Sequence, residues 1–238
     1  MTGTPPSRKH PDLEGRWAGP SGKMRVACAT LLAGALLCAC SAVPENRYFM
    51  MAYALLPPKP APRVDATIRV RQFDITPAYD QERLVYRYSP FEFQYYNYML
   101  WAVKPQKMLT DLFRKQLSHS GRFAAVAGEF GEQRPDYELS GMVEAIEELD
   151  AGDEWFAHLN ITLRLSRYGQ EQALWTGVIE QRRKVFNKQP VYVVKALSEI
   201  LEQETGRIID ELAAFLSTQA LAPREGARPE APAAGERS

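Results

Sequence analysis

Residues 137–167 read YELSGMVEAIEELDAGDEWFAHLNITLRLSR, and this stretch decides the fold. Tyr137, Leu139, Val143, Ala145 and Leu149 alternate with mostly polar neighbours. Ala157, Leu159, Ile161, Leu163 and Leu165 then alternate with His158, Asn160, Thr162, Arg164 and Ser166. Successive side chains of a strand point to opposite faces, so a period of two marks a half-buried strand with one apolar face. Asp150-Ala151-Gly152-Asp153 between the two runs supplies turn chemistry, and the pair reads as an antiparallel hairpin.

Moving toward the C-terminus, a second hairpin through Gly169 leads into a strand over Ala173–Phe186, with Arg182-Arg183-Lys184 facing water. Val194, Leu197, Leu201, Ile208, Leu212 and Phe215 then form one apolar stripe over 191–218, interrupted at Glu204 and Thr205, which predicts a long amphipathic helix. Moving toward the N-terminus, Pro105 opens a helix over 105–119, with Met108, Leu109, Leu112, Phe113 and Leu117 at helical spacing and Gly121 where the chain leaves it. A short strand is expected near Phe123–Val126, and another where Ile68 and Val70 alternate with Arg69 and Arg71. The segment Leu84–Tyr98 reads as a bent or two-part strand around Pro90, with Phe91, Phe93 and Tyr95 on one face. Tyr48–Leu56 is apolar enough for a first strand before the proline-rich connector 57–62. Alternating strands need one face covered, and two amphipathic helices are at hand. The expected fold is therefore α+β: an antiparallel sheet packed by the two helices as a two-layer sandwich.

The N-terminal region has a different composition. Residues 1–23 are rich in Pro, Gly, Ser and charge and lack an apolar period, so Met24 is read as the true start. Met24-Arg25 and the apolar run Val26–Leu37 have the length of a signal peptide and fall short of the roughly 20 apolar residues of a spanning helix. Leu37-Cys38-Ala39-Cys40 follows and resembles the lipobox of bacterial lipoproteins. That resemblance implies a diacylglyceryl group on the Cys40 thiol, cleavage before Cys40 and an acyl group on the new amine. The alternative is a spare thiol at the end of an ordinary secretory signal. Ser41 resembles the outer-membrane sorting signal of Gram-negative lipoproteins. The expected organisation is a leader and signal peptide over 1–39, a lipidated tether over 40–47, one domain over 48–221 and a Pro-, Ala- and Gly-rich tail over 222–238.

Composition limits the partners. Removing residues 1–39 takes five basic and two acidic residues from the 29 of each sign, leaving a net charge of −3. Without a basic stripe, nucleic acid is not expected as a partner. The three cysteines, Cys28, Cys38 and Cys40, all precede the domain, so no disulfide framework is available to it.

Tyr86-Arg87-Tyr88-Ser89-Pro90, then Tyr95-Tyr96-Asn97-Tyr98 and Trp101-Ala102-Val103-Lys104-Pro105, followed by Leu109, Leu112, Leu117 and Gly121-Arg122-Phe123, resemble the central motif of the ABC-type transport auxiliary lipoproteins, which include the PqiC-like proteins. The resemblance runs through most of 48–217 in element order, and its specific part is Tyr86–Val126. It implies an outer-membrane lipoprotein of a Gram-negative bacterium, on the periplasmic face, accompanying an MCE-type ABC transporter that moves phospholipid or related lipids between the two membranes. The implied partners are an MCE-domain periplasmic protein and the permease and ATPase, with a second copy of the chain also open. The longer proline-rich connector and the tail past residue 222 depart from the family pattern and leave the subfamily open.

Catalysis is hard to assemble, because the expected mature chain has only His119 and His158 and no thiol other than Cys40. His119 is expected at a helix end and His158 on the solvated side of its strand. Glu147, Glu148, Asp150, Asp153 and Glu154 read as a wet hairpin tip. Neither metal-ligand spacing nor a nucleotide-binding glycine motif is present, and no cofactor is expected apart from the acyl groups on Cys40. The aromatic cluster is the dense candidate for recognition. Alternation sends Phe91, Phe93 and Trp101 toward the core, and one of the adjacent Tyr95 and Tyr96 must face away. Tyr95, Tyr96, Tyr98 and Trp101 are the candidate contacts for a partner or lipid. A rival of another class is an assembly lipoprotein of the LPS-assembly or peptidoglycan-associated type, and an envelope hydrolase is a third.

Overall fold

A computed structural model describes residues 44–128 and 134–221. The strands are β1 (Arg47–Phe49), β2 (Val64–Val70), β3 (Asp74–Ile75), β4 (Arg83–Ser89), β5 (Glu92–Trp101), β6 (Phe123–Ala127), β7 (Tyr137–Asp150), β8 (Trp155–Arg167) and β9 (Ala173–Val185). Two helices, α1 (Pro105–His119) and α2 (Pro190–Leu221), complete an α+β fold.

β7 is the spine of the sheet. Along one edge it pairs antiparallel with β8 over its whole length, and β8 pairs with β9 in the same sense. Its other edge is shared by three strands in turn, all parallel to it: β2 at Ile68–Val70, β3 at Asp74–Ile75 and β4 at Tyr86–Arg87. β6 joins β2 in parallel, while β5 pairs antiparallel with β4 and carries β1 in parallel. The sheet is therefore open and mixed, which corrects the all-antiparallel expectation. Period-two alternation reports which face a side chain takes, but leaves the neighbour and its direction unspecified.

Two strand assignments also change. Leu84–Tyr98 is a tight hairpin, β4 and β5 joined through Pro90-Phe91, with Ser89 opposite Glu92. Tyr48–Leu56 is strand only at Arg47–Phe49. Beyond Phe49 the chain lies across both helices, with Ala52 N donating to Ser198 Oγ and Leu56 N to Gln116 Oε1. Helix side chains thus satisfy a backbone that has no strand partner.

α1 starts at Pro105, where the missing amide is one of the unbonded donors of a first turn anyway. Gly121 follows the helix at φ 65°, a conformation that costs glycine nothing. α2 runs without a break through Glu204 and Thr205, and its Leu197, Leu201, Ile208 and Leu212 are buried along with Leu159, Ile161, Leu163 and Leu165 of β8. α2 packs on β8 and β9, and α1 packs on α2 and β6.

A bulge at Glu144 shifts the register of β7 between Val143 and Ala145. Before it, Leu139, Gly141 and Val143 lie opposite Leu165, Leu163 and Ile161. After it, Ile146 and Glu148 take that face, opposite Leu159 and Ala157. One extra residue thus reverses the parity of the remaining strand.

At Gly141, an added Cβ would stand 2.7 Å from the ring of Phe73, which is itself buried against Phe113. Gly141→Ala is expected to cost about 1–3 kcal/mol through overpacking, read as a lower urea midpoint with an unchanged slope.

Candidate functional site

Strand alternation puts the neighbouring Glu147 and Glu148 on opposite faces of β7, both buried, and the parity change at Glu144 decides which of them shares the face of Leu159. Glu147 faces the side away from Leu159. It accepts hydrogen bonds from the Tyr79 hydroxyl at 2.6 Å and from Arg87 at 2.5 Å, and lies 2.8 Å from His158 Nδ1. The second ring nitrogen of His158 lies 2.8 Å from Glu180. Burial alone would push the Glu147 carboxyl up, but the bonds from His158, Tyr79 and Arg87 together hold it below the usual carboxylate range. Burial and the Glu147 carboxylate push the Tyr79 phenol up, so it stays a donor.

Glu148 has different company. It is 3% exposed, and the Tyr96 hydroxyl reaches its two oxygens at 3.0 and 3.2 Å. Tyr86 packs against Tyr96 at 4.6 Å between ring centroids and edge-on to Tyr88 at 5.4 Å. Burial pushes Glu148 up to about 7, the Tyr96 bond opposes this and the Asp150 charge adds to it.

These positions correct the sequence reading of a wet acidic tip at Glu147 and Glu148 and of a solvated His158, while Asp153 and Glu154 are exposed at the turn as that reading had them. Strand β7 continues through Glu147 and Glu148 to Asp150, and His158 is 4% exposed. The misleading signal was the close spacing of five acidic residues between Glu147 and Glu154, since a bulge leaves little trace in composition. His119 lies in the last turn of α1, exposed, as expected.

The aromatic candidates separate. Trp101 is 4% exposed and belongs to the core, which removes it as a surface contact. Tyr95 is half-buried beneath Arg83, and Tyr96 is held by Glu148. Tyr98 is exposed, as is Tyr88. Phe91, placed by alternation in the core, is 98% exposed at the tip of the β4–β5 turn. Cys40 lies outside the described residues. A depression of about 310 Å³ near Gly169 is walled by Arg71, Glu138, Arg164 and Ser166, and lacks the apolar lining of small-molecule sites.

The class is that of an α+β domain built on an open, mixed nine-stranded sheet with two helices. The fold is similar to a solved protein from Xanthomonas campestris, XCC0632, at a TM-score of 0.65 and 23% identity, covering 73% of this chain and 99% of that one. A second solved structure, of an uncharacterized protein, aligns at a TM-score of 0.54 and 18% identity over 71% of this chain and 99% of that one. No curated relative matches. The family described as ABC-type transport auxiliary lipoprotein component matches residues 53–209, and the chain belongs to that family.

Glu148 provides a pH test. With a folded-state pKa near 7 against 4.5, its protonated form favours the fold. That contribution is complete below pH 4.5 and is lost as pH rises through 7, on the order of 3 kcal/mol in all. Glu147, held low, is ionised across this window. Glu148→Gln is therefore expected to raise the melting temperature at pH 8 by several degrees and to change it little at pH 5. Equal shifts at both pH values would contradict the assignment.

Proposed function

We propose that this chain is a non-catalytic accessory lipoprotein of an MCE-type ABC transporter that moves phospholipid or a related lipid between the inner and outer membranes. Acylated Cys40 holds it at the periplasmic face of the outer membrane, where the domain docks the periplasmic component of the transporter. Membership of the auxiliary lipoprotein family over residues 53–209 carries this reading. The lipobox-like Leu37-Cys38-Ala39-Cys40 supplies the anchor. No helix among the described residues is long and apolar enough to cross a membrane. Two or more acyl chains make such an anchor stable.

The role is positional. Confinement to the membrane surface raises the effective concentration of the domain for a partner that reaches across the periplasm. The Glu147–His158 pair does not suggest acid–base chemistry, because both ring nitrogens already face carboxylates and the imidazole is buried. It ties Tyr79, β4, β7 and β9 together.

Affinity purification of the acylated chain from its host in mild detergent, followed by mass spectrometry, tests this. A permease, an ATPase and an MCE-domain protein are expected among the co-purifying chains. Outer-membrane barrels or peptidoglycan-bound proteins in their place would overturn the reading.

A further inference from the structure

Phe91 is 98% exposed and Phe186 is 90% exposed, and the topology puts both at one end of the sheet. β4 is parallel to β7. β5 is antiparallel to β4, and Trp155 of β8 lies level with both Asp150 and Val185. The Ser89–Glu92 turn, the Asp150–Trp155 turn and the loop from Val185 to Pro190 are therefore side by side. Tyr88 and the first-turn residues Val191 and Tyr192 add exposed apolar surface at the same end. Lys184 stands 5.7 Å from the ring of Phe186, and Lys188 stands 5.6 Å from that of Trp155. Exposed rings on separate loops are surface that water disfavours, and rings flanked by lysines suit the headgroup layer of a bilayer.

We propose that this end of the domain, led by Phe91 and Phe186, seats in the interfacial layer of the bilayer that holds the acyl anchor. The proposal rests on the anchoring at Cys40 given above, and the length of the tether is what selects the bilayer as occupant. Seven residue steps join Cys40 to Arg47, a span of at most about 25 Å. Arg47 lies opposite Met99, and the adjacent Leu100 lies opposite Arg83. From that level, six strand positions lead to Ser89, about 20 Å, which is within reach. β1 is also parallel to β5, so at Arg47 the chain is running away from the Glu92 turn, as it would if it came from that side.

The opposite end of the sheet, at the Gly169 turn, lies about 23 Å from that level along β7 and β8, on the side toward which the chain is already running at Arg47, so a tether anchored there would have to double back. Glu92, Asp153 and Glu154 are exposed among the aromatic tips, and Lys184 is paired with Glu154. The contact is accordingly apolar, and salt should not release it.

The mature chain has no cysteine beyond Cys40, so Phe91→Cys, Phe186→Cys and Gln170→Cys each place one free thiol for a nitroxide label. The acylated full chain is bound to phosphatidylethanolamine–phosphatidylglycerol vesicles, and power-saturation EPR compares collisions with oxygen and with a water-soluble nickel chelate. Labels at 91 and 186 are expected to favour oxygen several-fold over the label at 170, at low and high salt alike. Equal nickel access at all three positions, on protein that sediments with the vesicles, would overturn the seating while leaving the anchor intact. Protein that stays in the supernatant would overturn the anchor and the seating together. Labels that remain in water on vesicles but become immobilised when the solubilised transporter is added would assign this end to a protein partner and overturn the proposal.

Discussion

The structure depends on the two edges of β7 being used differently. One edge takes a single long antiparallel partner, and the other is divided among three short parallel ones. Parallel neighbours need long connections, and these carry α1 and the segment that crosses both helices. Without the ladder on the parallel side, β2 and β4 would each lose a sheet neighbour, and α1 and β5 would lose the strands that position them. The β7–β8 hairpin makes the core, while the opposite edge of β7 holds the remaining strands in place.

The bulge at Glu144 gives this spine its second property. By reversing the face that later residues take, it sets which of two adjacent buried carboxylates meets which surroundings. Glu147 is compensated by an arginine, a phenol and an imidazole, whereas Glu148 has only Tyr96 to offset its burial. A carboxylate buried with one neutral donor is a persistent cost when ionised, and Glu148 lies where β7 approaches the loop end of the sheet.

Much of the fold was legible in the sequence. The β7–β8–β9 meander, α1 from Pro105 to His119 and the long α2 each carried a sustained period with its own start and stop chemistry. The missing parts were those that no local period encodes. Parallel pairing of β2, β3 and β4 depends on distant chain segments. The β4–β5 hairpin stayed undecided between a bent and a two-part strand because Pro90-Phe91 falls between two stretches in matching phase. The exposure of Phe91 was missed for the same reason, and Phe186 drew no notice as a single aromatic at a strand end. The aromatic cluster was correctly singled out as a cluster, but burial removed Trp101 from the surface and bound Tyr96 to a glutamate whose own burial depended on the unseen bulge.

The family assignment makes this chain an ABC-type transport auxiliary lipoprotein component, and the proposed anchoring comes down to one covalent attachment, at Cys40, a few residues before β1. Intact mass spectrometry of the mature chain, purified in detergent from its own host, measures that attachment directly. The expected mass corresponds to a chain beginning at Cys40 that carries a diacylglyceryl group and an additional acyl group. A mass matching the uncut chain, or a chain whose Cys40 is bare, would contradict the central claim.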